Sequence, residues 1–264
     1  MNLPYVGLTG VASLKDVSTL QNLRVCPPSA NHCYMAGILV SGKTLSGQPT
    51  TNRRYPTVEN AFRLAGLFTD SRFWVAFHYN NSGRKEPLRE QLQPLTDRLG
   101  SGFGIQLNIA RPPLDEVREL RDRFRLKIIL QVNEKSLREP TAECMLEYVY
   151  EYRDVAEYAL LDLSGGKGLP LNPTLAAKVL RNWDYPGIIP GLAGGLGPDA
   201  SDTIWEVKAR APFTDMTAIS YDAEGKIRVP VEDPIVGENY QDRLSKKLAS
   251  QYVMAVHTGM KRRH

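Results

Sequence analysis

Two glycine-rich segments in the second half of the chain each follow a short apolar run and precede a helical pattern. They contain Gly165-Gly166-Lys167-Gly168 and Gly194-Gly195-Leu196-Gly197. A buried strand that passes through glycines into a helix presents backbone N–H groups at the positive helix end, where a phosphate can bind. We expect a phosphate site here; the alternative is that these glycines only make tight turns.

Asp162 stands at the end of the strand before the first glycine segment. A carboxylate in a partly dry pocket can have its pKa raised and serve as a general acid, and this is the role that we predict for Asp162. The alternatives are an ion pair or a cap for the following loop. His78 could act as a general base near neutral pH or be a hydrogen-bonded wall residue. Asp222 and Glu224 could be bases or turn residues.

The elements that would position these groups alternate between strand and helix along the whole chain. Eight apolar or β-branched runs predict strands at Tyr5–Gly10, Met35–Ser41, Phe73–Asn80, Gly104–Ala110, Lys127–Asn133, Tyr158–Leu163, Gly187–Leu192 and Met216–Tyr221. Helical patterns follow at Ser13–Leu23, Val58–Phe68, Pro87–Leu99, Leu114–Phe124, Thr141–Arg153, Pro173–Trp183, Ala200–Ala209 and Glu238–Met260. Eight such units predict one α/β domain over residues 1–264, a (β/α)₈ TIM barrel with a long C-terminal helix. An open doubly wound sheet is the alternative.

Two other segments have a predicted place in this barrel. Gly42–Pro56, after the second strand, could be a lid or a plain surface loop. The last helix carries a stripe that could pack on the barrel or pair two subunits as a homodimer: Tyr240, Leu244, Leu248, Tyr252 and Val256.

Alternation along the strands gives a predicted lining for the barrel mouth. The set is rich in amides and hydroxyls and poor in charge: Thr9, Ser41, His78 or Asn80, Gln106, Asn108, Gln131, Asn133, Asp162 and Ser220. Such a lining suits hydrogen bonding to a polar ligand beside one group that transfers a proton.

Composition excludes several classes of function. The net charge of +4 is small for 264 residues, and basic residues alternate with acidic ones, so we expect no nucleic-acid partner. No apolar run approaches a membrane span and no signal pattern begins the chain, so we expect a cytoplasmic protein without a membrane partner. Four histidines and three cysteines lack ligand spacing, so we expect no metal, no cofactor and metal-independent chemistry.

Six motifs in order resemble phosphoribosylanthranilate isomerase, a barrel of tryptophan synthesis. Gly10–Asp16 resembles the family's Gly-Ile-Thr-x-x-Glu-Asp, and Arg54-Tyr55-Pro56 its Ser-x-Arg-Tyr segment. The others are Val75–Asn80 for the third strand ending in Asn, Ile105–Asn108 for Val-Gln-Leu-His, Leu160–Gly168 for Leu-Leu-Asp with Gly-Gly-x-Gly, and Leu192–Pro198 for Leu-Ala-Gly-Gly-Leu-x-Pro.

The resemblance implies an Amadori rearrangement of an aminoaldose phosphate, with an aspartate as acid and a cysteine as base. By position the acid is Asp162, the arginine that binds the anthranilate carboxylate is Arg54, and Thr9 stands in place of the cysteine. The phosphate-binding positions it implies are Gly166, Gly168, Gly194, Gly195 and Ser220. Asp222 stands where the family has a glycine that admits phosphate.

A threonine hydroxyl does not take up a proton at neutral pH, so the base must be His78, Asp222 or Asp162 itself. We therefore expect a divergent isomerase-like barrel that acts on a small anionic, phosphorylated, sugar-derived metabolite, with Asn80, Gln106 and Asn108 among its substrate-binding residues. The alternatives are a barrel that binds such a metabolite without turnover and a scaffold protein.

Overall fold

The computed structural model describes residues 2–48, 50, 52, 54–98, 102–162, 170–231 and 242–262. Within these ranges eight parallel strands pair in chain order, and the eighth returns to the first, which closes a barrel. They are β1 (Tyr5–Thr9), β2 (Cys33–Ser41), β3 (Phe73–Asn80), β4 (Gly104–Leu107), β5 (Lys127–Val132), β6 (Tyr158–Leu161), β7 (Ile189–Leu192) and β8 (Ser220–Ala223). The predicted (β/α)₈ fold class is confirmed.

Helices follow the strands as the sequence pattern predicts. They are α1 (Leu14–Gln21), α2 (Gly42–Leu45), α3 (Val58–Gly66), α4 (Leu88–Thr96), α5 (Leu114–Phe124), α6 (Ala142–Glu151), α7 (Pro173–Arg181), α8 (Ala200–Arg210) and α9 (Lys246–Lys261). In the part of the chain that the structure describes, no helix is both long and apolar enough to cross a membrane.

Side chains alternate along each strand between the barrel interior and the surrounding helices. The larger apolar cluster lies between strands and helices, and a smaller one fills the interior. At the amino-terminal ends of the strands the interior contains an aromatic layer, which is Tyr5, Trp74 and Tyr158, with ring centroids 5.2–5.6 Å apart. The carboxyl-terminal ends form the opposite opening, which we call the mouth.

The last predicted strand and the last predicted helix both need correction. Residues Met216–Ala218 form a 3₁₀ turn, because the Asp215 side chain accepts from Thr217 N, and β8 starts only at Ser220. Residues of the predicted Glu238–Met260 helix instead form β10 (Asp242–Leu244), which pairs antiparallel with β9 (Arg228–Pro230).

α9 therefore begins at Lys246, after Ser245, whose side chain accepts from Leu248 N. Tyr252 and Val256 of the predicted stripe are fully buried within the chain, and Tyr240 lies outside the described residues. Close packing on α8 also marks this helix, since a Cβ on Gly259 would lie 2.8 Å from Ile204 Cβ. The stripe thus packs on the barrel wall, and the homodimer stays a prediction.

The loop after β1 is held by a buried carboxylate. Asp16 Oδ2 accepts from Ala12 N at 3.0 Å and from Ser13 N at 3.1 Å, while the Ser13 side chain caps α1 in return. The other oxygen, Oδ1, accepts from Leu244 N of β10 at 2.8 Å. One side chain thus joins the first helix to the second strand of the β9–β10 hairpin.

Candidate functional site

A cavity of about 480 Å³ opens at the mouth. Most predicted site residues line it: Arg54, His78, Asn80, Gln106, Asn108, Gln131, Asp162, Gly194 and Gly195. Asp222, Glu224 and Lys226, from the end of β8 and the loop after it, complete the wall. The strand ends therefore bring together residues that are far apart in sequence, as a barrel requires.

Asp222 lies inside the barrel between β8 and β1. Tyr221 faces the helices, so the period of two along β8 turns Asp222 inward. Thr9 Oγ1 donates to Asp222 Oδ1 at 2.8 Å. Gly7 leaves the space for this carboxyl group, because a Cβ there would lie 2.1 Å from the same oxygen. The carboxyl thus points towards β1.

The environment of Asp222 holds its proton unusually firmly. Burial raises the pKa of Asp222 to about 7. The negative charges of Glu224 and Asp162 raise it further, whereas the hydrogen bond from Thr9 opposes this effect. A carboxyl group with such a pKa changes charge near neutral pH and can serve as an acid or a base. Thr9 positions this group and is not itself a base.

Asp162 stands just beyond β6 at the end of a chain of amides. Gln106 Nε2 donates to Gln131 Oε1 at 3.3 Å, and Gln131 Nε2 donates to Asp162 Oδ2 at 2.7 Å. All three side chains are buried. This arrangement orients Asp162 towards the cavity that Asp222 also lines.

His78 lines the cavity from β3 but does not suit the predicted role of general base. Burial lowers the pKa of His78 to about 3, so its imidazole is neutral at physiological pH and binds a proton only weakly. The ring instead offers hydrogen bonds. This favours the alternative of a hydrogen-bonded wall residue over that of a general base.

Arg54 is the centre of an ion-pair network, and its expected role in binding a carboxylate of the ligand stays a prediction. It donates from Nη1 to Glu224 Oε1 at 2.8 Å and from Nη2 to Asp242 Oδ2 at 2.6 Å. Asp242 Oδ1 also accepts from Arg228 Nε at 2.7 Å, and Arg228 Nη1 donates to Gly10 O. The network joins the segment after β2 to the hairpin at the edge of the mouth.

Gly194 and Gly195 form the cavity wall between β7 and α8. Their φ angles of 99° and 59° lie in the left-handed region that favours glycine. Lys226 lies nearby, and its Nζ contacts Asp199 Oδ2 at 2.8 Å just before α8. Backbone amides, a helix N-terminus and a lysine together make this the part of the cavity best suited to an anion. Gly166 and Gly168 lie outside the described residues.

Three predicted lining residues are used elsewhere. Ser220 is fully buried at the start of β8, where its Oγ accepts from Tyr5 N at 3.1 Å, so it lies at the level of the aromatic layer. Ser41 caps α2, and Asn133 Oδ1 accepts from Ser136 N. The predicted phosphate contact of Ser220 is thus not supported by its position. Its hydroxyl instead fixes the start of β1.

Sequence reasoning missed Lys226, which lies within a 3₁₀ turn, where no local pattern indicates that it reaches the cavity. It named Asp222 as a possible base but ended the strand at Tyr221. The inward position of Asp222 could have been found, because it lies two residues after Ser220 on the same strand. Within the described ranges, no three His, Cys, Asp or Glu side chains group in a way that could hold a metal.

The lid predicted for Gly42–Pro56 stays a prediction. The segment begins with α2, and Asn52, Arg54 and Tyr55 reach the cavity wall. Residues 49, 51 and 53 lie outside the described part of the chain.

Comparison with known proteins gives the fold. No family model and no curated protein matches the chain. Among solved structures, phosphoribosyl anthranilate isomerase from Thermococcus kodakaraensis aligns with 96% of this chain and 99% of its own, at 14% identity and a TM-score of 0.58. Tryptophan synthase from Mycobacterium tuberculosis covers 97% of this chain and 93% of its own, at 13% identity and a TM-score of 0.49. The chain therefore has a (β/α)₈ barrel like that of phosphoribosyl anthranilate isomerase.

Proposed function

We propose that the protein is an enzyme that moves a proton within a small anionic, phosphorylated, sugar-derived metabolite, with Asp222 and Asp162 as its acid and base. The observation that carries this proposal is Asp222, a carboxyl group whose pKa is raised by burial to about 7 and which lines a cavity with a second carboxyl group. Pairs of titratable groups in different environments are typical of acid–base active sites.

Asp222 supplies the second proton-transferring group that the sequence lacks on β1. Thr9 stands where phosphoribosylanthranilate isomerase has its cysteine, and its hydroxyl donates to Asp222 on the neighbouring strand. The second group thus lies across one strand pair. Below about pH 7 the Asp162 carboxylate takes a proton from the ligand, and the protonated Asp222 gives one to another ligand atom. The ligand is isomerised, with no net gain or loss of protons.

The anionic end of the ligand binds at Gly194 and Gly195, which lie before the N-terminus of α8 beside Lys226. Asp222 does not block this end, because its carboxyl is bonded to Thr9 on the opposite side of β8. Asp199 partly neutralises Lys226 when no ligand is bound; this ion pair is exposed and therefore weak.

Deuterium uptake tests the proton transfer directly. The protein is incubated in D₂O with ribose 5-phosphate and with phosphoribosyl anthranilate, and exchange at carbon is followed by NMR. We expect exchange or isomerisation of at least one probe, with a rate that falls as pH rises through about 7 because Asp222 must be protonated. Asp222→Asn and Asp162→Asn should each lower the rate by about 10²–10⁴-fold while binding is largely kept.

Asp184→Asn is the matched control, because it makes the same chemical change at an exposed residue. Its rate should equal that of the wild type. Binding of the probes without any exchange would favour the alternative of a non-catalytic metabolite-binding barrel. A rate that does not change between pH 6 and 8 would contradict the role of Asp222.

A further inference from the structure

Two polar atoms in the cavity are buried without a hydrogen-bond partner among the described residues. They are His78 Nε2 and Gln106 Oε1. The side chains that carry them belong to residues only 7% and 5% exposed, and both line the cavity. Burying a polar group without a partner is costly, so such atoms need an explanation at each place where they occur.

The amide chain dictates which atom of Gln106 is left over. Asp162 Oδ2 accepts from Gln131 Nε2, so the oxygen of Gln131 faces away from Asp162 and accepts from Gln106 Nε2. The Nε2 of Gln106 is then engaged with Gln131, and its Oε1 is the unpartnered end of this series of amide hydrogen bonds. The free end is therefore an acceptor, and it calls for a donor from outside the protein.

His78 lies beside this acceptor. The two residues are register partners on the adjacent strands β3 and β4, and both face the interior. A neutral imidazole has one N–H donor and one acceptor nitrogen, and burial keeps this ring neutral. Its Nε2 leans over β2, since a Cβ on Gly37 would lie 2.8 Å from His78 Nε2 and 2.4 Å from Thr9 Oγ1. The two unpartnered atoms thus belong to neighbouring side chains of one cavity wall.

We infer that His78 and Gln106 form a subsite for uncharged hydroxyl groups of the ligand. One hydroxyl donates to Gln106 Oε1, and its neighbour on the sugar accepts from His78 Nε2. An ionised phosphate or carboxylate has no proton to donate to Gln106, and an ammonium group has no lone pair for His78, so neither satisfies both atoms. The subsite therefore selects the polyhydroxylated, sugar-like part of the ligand.

This inference rests on the proposed function for the cavity but concerns a different part of the ligand. The anionic end lies at Gly194, Gly195 and Lys226, whereas the hydroxyl subsite lies on β3 and β4. A hydroxyl bound next to Gln106 is also coupled, through Gln131, to the orientation of Asp162. Recognition of the sugar and positioning of Asp162 thus share one chain of hydrogen bonds.

The test compares three probes, ribose 5-phosphate, ribose and inorganic phosphate, by titration calorimetry. His78→Phe and Gln106→Met keep the approximate size of each side chain and remove the polar atom. Each should weaken ribose 5-phosphate binding at least 10-fold and leave inorganic phosphate binding unchanged. Gln93→Met makes the same change at an exposed position of α4 and should leave all affinities unchanged.

A second measurement uses the wild-type protein and does not depend on how variants fold. With ¹⁵N-labelled histidine, ribose 5-phosphate should shift the Nε2 resonance of His78, and inorganic phosphate should not. Unchanged ribose 5-phosphate affinity in both variants would overturn the inference and show that a trapped water satisfies the pair. Equal weakening of ribose 5-phosphate and inorganic phosphate would also overturn it.

The two proposals fail in different ways. If ribose binds in a manner that depends on His78 and inorganic phosphate does not bind, the hydroxyl subsite stands and the phosphorylated substrate class is wrong. Suppose that ribose 5-phosphate and phosphoribosyl anthranilate bind and exchange deuterium, but His78→Phe and Gln106→Met bind ribose 5-phosphate as tightly as the wild type does. The proposed function then stands and the subsite is wrong. Failure of all three probes to bind overturns the hydroxyl subsite.

Discussion

The two ends of the barrel interior use the same strands in opposite ways. On β3, Trp74 belongs to the aromatic layer and His78, four residues later, reaches the cavity; on β6 and its extension Tyr158 and Asp162 have the same relation. One end is filled by aromatic contacts. The other contains a protonated carboxyl and two polar atoms without partners. Stability and ligand chemistry are therefore separated along each strand, and substitutions at the two ends should have different effects.

The largest effect on stability should come from the aromatic layer. Tyr5 is fully buried and its ring contacts both Trp74 and Tyr158, so Tyr5→Ala should lower the free energy of unfolding by about 3–5 kcal/mol. Urea denaturation measures this. Tyr5→Phe is the control: it removes a hydroxyl that has no partner among the described residues and should be neutral or stabilising. Equal losses in both variants would show that the hydroxyl, not the ring, matters.

Residues at the mouth should instead make the free energy of unfolding depend on pH. In the folded protein the pKa of Asp222 is about 7, against an ordinary pKa of 3.8. Between these two pH values the folded state binds more protons than the unfolded state, so the contribution of Asp222 to stability falls as pH rises. In the folded protein the pKa of His78 is about 3, against an ordinary pKa of 6.5. Between these two pH values the unfolded state binds more protons than the folded state, so the contribution of His78 to stability rises with pH. Between about pH 4 and 6.5 the two contributions nearly cancel.

Single substitutions should separate the two opposite pH dependences of the unfolding free energy. Relative to the wild type, the stability of Asp222→Asn should rise by about 1.4 kcal/mol per pH unit across this window, and that of His78→Phe should fall by a similar amount. Urea denaturation at several pH values measures both slopes. Two variants with the same pH dependence as the wild type would mean that neither group is buried as described.

Overpacking of the aromatic layer should have a smaller effect. A Cβ on Gly104 would lie 2.3 Å from Trp74 Cζ3, so Gly104→Ala must displace a ring in contact with Tyr5 and Tyr158. We expect a loss of about 1–3 kcal/mol in unfolding free energy. Gly187→Ala is the control, because nothing lies within 4 Å of a Cβ at that position. Similar melting temperatures for both variants would indicate that the layer has room to adjust.

The smallest effect on stability should come from the open end of the amide chain. Gln106→Met removes a buried acceptor without a partner but also a donor to Gln131, so the free energy of unfolding should change by less than about 1 kcal/mol. The same substitution is expected to weaken sugar binding at least 10-fold. Thermal melting without ligand measures the first effect. A large loss of stability would show that the mouth is also part of the structural core.

The sequence predicts the barrel well because its signals are local. Phe73–Asn80 and Leu114–Phe124 are observed with their predicted bounds, since alternation and helical periodicity mark them directly. The β9–β10 hairpin was missed because three-residue strands carry no period, and Leu244 also fits the helical stripe of α9. Pairing between Asp242 and Pro230 joins residues that are 12 positions apart in sequence, and neither strand is long enough to show an alternation.

The site is only partly predictable for a different reason. Alternation placed His78, Gln106 and Asp162 at the mouth, and the structure has all three in one cavity. What each side chain bonds to depends on residues far away in sequence: Thr9 with Asp222, and Arg54 with Asp242. These partners decide whether a carboxyl holds its proton and whether an arginine has donors to spare. No local pattern contains that information.

Asp16 has a consequence for the order in which the protein matures. The chain is synthesised from its amino terminus, so Asp16 leaves the ribosome long before Leu244, the residue whose backbone N–H satisfies its second oxygen. The carbonyl oxygen of the nearby Gly10 likewise gains its hydrogen bond only after Arg228, which donates to it, has been made. The aromatic layer has all its rings once Tyr158 is made, but the loop after β1 acquires its native partners only once Arg228 and Leu244 are made. The nascent chain therefore contains the whole aromatic layer before it can complete the mouth.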